Sequence, residues 1–192
     1  MKLFVMRHCE RNINDCGFES PLLPIGIHNA KNLYSQMNFL NIDIIYSSPF
    51  LRTIQTVDFY SKIKNIPIKI DYSLAEFVSP IDKYRMKSIY NYEIPISWKK
   101  NFIIKTENML VNKYDINEKQ NDCIMRLYNF LVYIIEKYKY TKKNILLVTH
   151  MSIVNMILGL LENNINMKEF NIDKPYPMGL ITELNILNKN NI

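Results

Sequence analysis

The residues of this chain best suited to chemistry on a phosphate group are two arginines, two histidines and one glutamate: Arg7, His8, Arg52, Glu76 and His150. A guanidinium binds phosphate oxygens through a two-pronged fork and stays charged at any working pH. A neutral imidazole is a good nucleophile when its second nitrogen is held by a hydrogen bond. A carboxylic acid can protonate a leaving alkoxide and then activate water. Together these residue types indicate phosphoryl transfer.

Short apolar segments precede most of these residues and are typical of buried strands. We predict strands at 2–6, 43–46, 66–72, 144–149 and 181–187, the last at a sheet edge. Apolar residues spaced by three and four predict helices at 25–40, 50–63, 121–138 and 152–161. Pro49 suits the first turn of the second helix, and Asn121 or Asp122 can cap the third.

This alternation of strands and helices predicts a three-layer α/β/α sandwich around a mostly parallel central sheet. Ligands of open α/β sheets bind at the carboxyl ends of the strands. Arg7 and His8 end the first strand, and Arg52 follows the second strand in the first turn of a helix. Glu76 follows the third strand and His150 the fourth. We therefore expect all five side chains to converge at one edge of the sheet.

The segment at about 77–118 interrupts this alternation of strands and helices. It contains Pro80, Pro95, the only tryptophan (Trp98) and many lysines. We interpret it as a small helical and loop cap inserted into a single domain that spans residues 1–192. We interpret its basic residues as a solvated face and not as a binding patch: Lys83, Arg85, Lys87, Lys99 and Lys100. They would steer anionic substrates only if the cap overhangs the pocket.

Charge, motifs and cysteine content limit which classes of binding partner and which cellular compartment suit this protein. The net charge of +6 suits a small phosphorylated substrate or a phosphoprotein. No zinc-finger spacing or RNA-binding signature favours nucleic acid, and the first apolar run, five residues long, is too short for a membrane span or a secretory core. Three cysteines without a metal-type pair favour a reducing, cytoplasmic location. The sequence leaves room for a homodimer and does not determine the oligomeric state.

Several motifs, in order, resemble the histidine phosphatase superfamily, in its branch 1 that includes the phosphoglycerate mutases. Arg7-His8-Cys9-Glu10 with Asn14 is similar to R-H-G-E-x-x-x-N, and 47–56 (SSPFLRTIQT) is similar to S-S-P-x-x-R-T-x-Q-T. The segments 22–30, 74–76 and 148–150 resemble the family's L-T-x-x-G-x-x-Q-A, L-x-E and V-T-H-G blocks. The resemblance spans residues 2 to about 187.

The resemblance implies a role for each residue. His8 would become phosphorylated, Arg7 and Arg52 would clamp the phosphoryl group, and His150 would donate a hydrogen bond to it. Glu76 would act as general acid and then as base. Asn14 would shape the substrate pocket, although a turn position is the alternative, and Met151 would border the substrate. No metal or other cofactor is expected, because the arginines neutralise the charge that Mg²⁺ neutralises elsewhere.

Three positions depart from the family pattern. Cys9 replaces the usual glycine after the nucleophile, Leu23 replaces the threonine before the first helix, and Met151 replaces a common glycine after the second histidine. None of them is a reacting group, so we expect them to affect pocket geometry and rate. A metal site built from His8, Cys9 and His150 is disfavoured, because adjacent residues of an extended strand point to opposite faces.

The sequence favours a phosphomonoesterase over two alternatives. Arg11 after Glu10 resembles the R-H-G-E-R form of the phosphatase members, and Phe77-Val78-Ser79 after Glu76 lacks the E-R-H-Y-G block of the mutases. A phosphoglycerate or phosphosugar mutase remains one alternative. A catalytically degenerate module that binds phosphorylated ligands remains the other.

Overall fold

The computed structural model describes residues 1–78, 93–106, 109–162 and 173–185. These residues form a six-stranded sheet in the order β4-β3-β2-β5-β1-β6. The strands are β1 (Lys2–Arg7), β2 (Ile44–Ser47), β3 (Ile68–Ile70), β4 (Ile104–Lys105), β5 (Asn144–Thr149) and β6 (Ile181–Leu184). All neighbouring pairs are parallel except β1 and β6, which are antiparallel. The mostly parallel sheet and the edge position of the last strand confirm the sequence prediction.

Five helices lie among the described residues. They are α1 (Pro24–Phe39), α2 (Leu51–Lys64), α3 (Ile96–Asn101), α4 (Gln120–Tyr138) and α5 (Met151–Glu162), with a 3₁₀ turn at Tyr72–Leu74. The four predicted helices are present within one residue at each end. The six-residue α3 lies in the segment predicted as a helical and loop cap, for which no helix bounds were predicted. The sequence missed β4, which is two residues long.

Alternating strand residues divide the core into two layers. Phe4 and Met6 of β1 face the side covered by α1 and α2, whereas Leu3 and Val5 face the side covered by α4 and α5. In β5, Leu146 belongs to the first side. Strands that are buried on both faces are apolar at every position, which is why β1 and β5 lack alternation in the sequence. The α/β/α layering is confirmed.

Several local predictions need correction. The third strand ends at Ile70, because the chain then turns into the 3₁₀ segment capped by Asp71, whose side chain accepts the N–H of Ser73. Pro49 lies just outside α2, whose N-cap is Phe50. Lys119 is the N-cap residue of α4, and the side chain of Asp122 accepts its backbone N–H at 3.1 Å. Asp122 therefore contributes to the cap as predicted, whereas Asn121 is not the N-cap.

The predicted insertion is partly a sheet element. Residues 79–92 and 107–108, and with them Lys83, Arg85 and Lys87, lie outside the described residues. In the described part, β4 pairs with β3 and extends the sheet, and Trp98 stacks on Phe18 with ring centroids 5.5 Å apart. Lys99 and Lys100 are exposed, as expected of a solvated face.

None of the helices in the described part of the chain is long and apolar enough to cross a membrane.

Candidate active site

The strand register brings the predicted residues together. Arg7 pairs with Thr149 across β1 and β5, so His8 and His150 follow side by side, with ring centroids 5.4 Å apart. The backbone N–H of His8 bonds to Thr149 and that of Ser48 bonds to Val148, both at 2.9 Å. Parallel strands that end together therefore form one site at the carboxyl edge of the sheet.

The environment of His8 fixes which ring nitrogen is free. Its Nδ1 lies 2.6 Å from the carbonyl oxygen of Cys9. A carbonyl can only accept, so Nδ1 carries the proton and Nε2 keeps its lone pair. Burial, and then the charges of Arg52 and the neighbouring His150, lower the pKa of His8 well below its usual value. His8 is therefore neutral at neutral pH, with an unprotonated Nε2.

The loop after His8 is anchored by α2. The backbone N–H of Cys9 donates to Oγ1 of Thr56 at 3.0 Å, and the same hydroxyl donates to the carbonyl of Arg52 at 2.7 Å. Among the described non-glycine residues, positive φ occurs only at Asn41 and Asn65, so Cys9 in place of glycine causes no backbone strain. Burial raises the pKa of the Cys9 thiol to about 12, and the thiol stays neutral.

His150 is fully buried between two polar partners. Its Nε2 lies 2.8 Å from Oγ of Ser48, and its Nδ1 lies 3.1 Å from Oε2 of Glu76, without the alignment of a hydrogen bond. The Phe50 ring meets it edge-on at 4.8 Å. Burial lowers the pKa of His150 to about 4, against the opposing effect of Glu76.

Glu76 lies beside His150 and within reach of a guanidinium. Its Oε1 accepts the hydroxyl of Ser152 at 2.6 Å, and its Oε2 is 3.8 Å from Nη2 of Arg52. Burial alone would raise the pKa of Glu76. The adjacent His150 and Arg52, with the Ser152 hydrogen bond, more than offset this and hold the pKa at about 2. The carboxyl group is therefore ionised at neutral pH.

Arg52 is a buried cation with unused donor capacity. Its Nη1 donates to the carbonyl of Gly17 at 2.8 Å, and its guanidinium carbon lies 4.5 Å from the centroid of the Phe50 ring. Its Nε has no hydrogen-bond partner among the described residues. Burial lowers its pKa to about 10, so it remains charged at neutral pH. A buried, charged donor without a partner is suited to an anionic ligand.

Arg7, the residue before His8, is half-buried. Its Nη1 donates to the carbonyl of Tyr176 at 2.8 Å, and its Nε also lacks a partner in the described ranges. Burial lowers its pKa, Glu76 opposes that effect and Arg11 adds to it. The charges of both arginines, Arg52 buried and Arg7 half-buried, thus act on the His8 ring.

Several residues at this site were absent from the predicted set. Arg11 lowers the pKa values of Arg52 and His150 by its charge, which places a third cation near the pocket. Ser48 forms a hydrogen bond with His150, and Ser152 donates one to Glu76. The signals for them were the position of Arg11 directly after Glu10 and that of Ser48 in the Ser-Ser-Pro block.

Two predicted substrate-binding residues have less direct positions. Asn14 lies exposed in the turn after β1, where its backbone N–H bonds to Oδ1 of Asn12 at 3.0 Å. Met151 begins α5 and packs against the core layer beneath it. Contact of either residue with a substrate stays a prediction.

Leu23 is the N-cap of α1 and supplies no side-chain hydrogen bond, the expected consequence of losing a threonine there.

No group of three or more histidine, cysteine, aspartate or glutamate side chains in the described part of the chain could hold a metal ion.

Solved structures with the same fold include phosphatases and a mutase. An ecdysone phosphate phosphatase from Bombix mori, in complex with tungstate, has a TM-score of 0.69 at 15% identity and covers 95% of this chain and 88% of its own. A phosphoserine phosphatase mutant from Entamoeba histolytica, in complex with phosphoserine, has a TM-score of 0.61 at 22% identity, with coverages of 95% and 89%. A phosphoglycerate mutase from Bacillus anthracis str. Sterne has a TM-score of 0.62 at 17% identity, with coverages of 95% and 86%.

At these identities the likeness shows the fold alone. A search of curated proteins finds no significant match. The sequence does match the family model of the histidine phosphatase superfamily (branch 1) over residues 3–186, nearly its whole length. This chain belongs to the histidine phosphatase superfamily, branch 1.

Proposed function

We propose that this protein hydrolyses phosphomonoesters through a phosphohistidine intermediate on His8. The observation that carries the proposal is the hydrogen bond from Nδ1 of His8 to the carbonyl of Cys9, which leaves Nε2 as a free nucleophile. The charges of Arg52 and Arg7 act on the same ring. The phosphatases with the same fold, which act on ecdysone phosphate and phosphoserine by their names, support phosphatase chemistry in this family.

Binding of the phosphoryl group rests on Arg7 and Arg52. Each has an unpartnered Nε among the described residues, and a bound phosphate would satisfy these donors with charge-assisted hydrogen bonds. Such cations need no reorganisation at the moment of reaction, so they stabilise the charge that develops on the equatorial oxygens. His150 adds a neutral ring beside them.

The first step forms a bond from Nε2 of His8 to phosphorus and breaks the ester bond in line with it. The leaving oxygen takes a proton from Glu76. Since Glu76 is ionised at neutral pH, that proton arrives with the substrate, as a phosphomonoester monoanion carries one below a pKa of about 6. The negative phosphate raises the pKa of the neighbouring carboxylate and favours the transfer.

The second step returns the enzyme to its starting state. Glu76, now ionised, removes a proton from water, the water oxygen attacks phosphorus and the bond to Nε2 breaks. The carbonyl of Cys9 keeps its hydrogen bond from Nδ1 throughout and stabilises the positive charge of the phosphorylated ring. Inorganic phosphate then takes up the proton held by Glu76 and leaves, which restores the ionised carboxylate.

The test is phosphate release from p-nitrophenyl phosphate in the presence of a chelator, for wild type, His8→Ala and His28→Ala. His28 is exposed on α1 and serves as the matched control. We expect wild type and His28→Ala to turn over equally and His8→Ala to be inactive. Equal turnover by His8→Ala would refute the proposal.

Absence of turnover in wild type would also refute hydrolase activity. Activity that appears only with a bisphosphate primer would then identify the mutase alternative. Binding of phosphorylated ligands without turnover in either assay would identify the ligand-binding module.

A further inference from the structure

Arg126, on α4, contacts the chain segment that carries Glu76. Its Nη2 donates to the carbonyl of Ala75 at 2.9 Å, and its Nη1 donates to the carbonyls of Ser73 and, at 3.4 Å, Tyr72. These three carbonyls belong to the four residues that precede Glu76. The guanidinium therefore holds the backbone that sets the position of the carboxylate.

Glu118 completes this arrangement. Its Oε2 accepts from Nε of Arg126 at 2.7 Å, and its Oε1 accepts from Nη2 at 2.5 Å. The two side chains are only 11% and 10% exposed. A bidentate pair in a largely dry environment has a fixed geometry, and loss of either partner leaves a buried charge.

The number of N–H donors already in use distinguishes Arg126 from the arginines of the pocket. A guanidinium has five N–H donors, and those of Arg126 face two carboxylate oxygens and three carbonyls. Arg7 and Arg52 each retain an unpartnered Nε. Arg126 has no donor left for a substrate, so its effect on catalysis must pass through Glu76.

The opposite side of the same segment is also fixed. The hydroxyl of Tyr114 donates to the carbonyl of Glu76 at 2.7 Å. Asp71 accepts the N–H of Ser73 at 2.9 Å and the N–H of Leu110 at 2.7 Å. The backbone around Glu76 is thus held by α4 and by the chain that leads into α4.

We propose that Arg126, braced by Glu118, is a positioning residue that holds Glu76 at the distance needed to protonate the leaving group. This inference rests on the proposed function and adds to it a residue outside the pocket. Residues 118 and 126 lie more than forty positions from Glu76 in the sequence, and no local motif links them to it.

Leaving-group dependence tests the proposal, because general acid catalysis matters only for poor leaving groups. We would measure the rate of phosphoenzyme formation by rapid quench, from an alkyl phosphate and from 2,4-dinitrophenyl phosphate, for wild type, Arg126→Met and Glu76→Gln. This step isolates the acid role of Glu76, because its role as base in the second step affects kcat on both esters. Lys137→Met is the matched control, since Lys137 is an exposed cation on the same helix. General acid–base catalysis contributes about 10²- to 10⁴-fold. We expect Arg126→Met to lose at least about ten-fold on the alkyl phosphate, with formation of the phosphoenzyme from the dinitrophenyl ester nearly unchanged. Lys137→Met should match wild type on both.

Equal losses of Arg126→Met on both esters, or no loss on either, would overturn the inference. Arg126→Lys provides a second measurement if Arg126→Met does not fold, because lysine keeps the charge beside Glu118 but lacks the fork. A selective loss on the alkyl ester supports positioning, and a loss shared by both esters contradicts it. A wild-type protein inactive on both esters would instead reject the proposed function itself.

Discussion

The contact between Gly26 and Glu10 gives a sharp test of how the site is built. Gly26 lies in the first turn of α1, and a Cβ added there would be 2.2 Å from the carbonyl oxygen of Glu10 and 3.0 Å from its backbone nitrogen. Ordinary contacts are about 3.5 Å, so the two backbones would have to separate by about 1 Å. Glu10 is two residues after His8, and it also accepts the N–H of Leu23 at 2.9 Å.

The expected magnitude follows from two opposing effects of Gly26→Ala. Alanine gains about 1 kcal/mol over glycine within a helix, whereas overpacking against a rigid backbone costs about 1–3 kcal/mol or more. We expect the free energy of unfolding to fall by about 2 kcal/mol. A displacement of about 1 Å near His8 would lower kcat/KM by up to about 100-fold.

Urea unfolding and phosphatase assays on the same preparations measure both effects. Ser35→Ala, at an exposed position of α1, is the control and should change the free energy of unfolding by less than about 0.5 kcal/mol. A Gly26→Ala variant as stable and as active as wild type would refute the claim that α1 packs directly on the loop after the nucleophile.

Three further predictions concern hydrogen bonding and pH. Thr56→Val leaves the buried N–H of Cys9 without its acceptor, so urea unfolding should show that the free energy of unfolding falls by about 1–3 kcal/mol. Thr56→Ser keeps the hydroxyl and should retain stability. Equal stability of the two variants would contradict this. Because the pKa of His150 is about 4 in the folded state and 6.5 unfolded, the unfolded chain binds more protons and the free energy of unfolding should fall by at least about 3 kcal/mol as pH decreases from 6.5 towards 4. His8, whose pKa is also lowered, adds to this loss. Glu76, with its pKa lowered from 4.5 to about 2, adds a further loss below pH 4.5, and an unfolding free energy independent of pH would be inconsistent with both shifts. Since the substrate monoanion supplies the proton, kcat/KM for an alkyl phosphate should decline above about pH 6, and a steady rise to pH 8 would exclude that proton source.

The sequence predicted those parts of the fold whose pattern is local. The apolar runs of β1 and β5 and the stripe of α4 identify buried elements without any tertiary information. β4 was missed because two residues, Ile104 and Lys105, carry no periodicity, and only pairing with β3 makes them a strand. Lys119 as the N-cap of α4 was missed for a related reason, since its side chain is not a typical capping group.

In the site, too, some features were predictable from the sequence, whereas others depend on tertiary packing. His8, Arg52 and His150 follow strands whose carboxyl ends must meet, so their convergence was predictable from topology. His8 and Cys9 are adjacent in the chain, but the orientation of their hydrogen bond depends on Thr56 of α2, whose hydroxyl accepts the backbone N–H of Cys9. Arg126 could not be found from the sequence, because its carbonyl partners are defined only once α4 packs beside the 3₁₀ turn.

The central claim is that His8 carries the phosphoryl group during turnover. Rapid-quench mass spectrometry with 2,4-dinitrophenyl phosphate tests it directly, for wild type, Glu76→Gln and His8→Ala. We expect an acid-labile, alkali-stable phosphate on the peptide that contains His8, and more of it in Glu76→Gln because that variant lacks the base for hydrolysis. Steady turnover with no phosphate on His8, or with phosphate on another residue, would contradict the account.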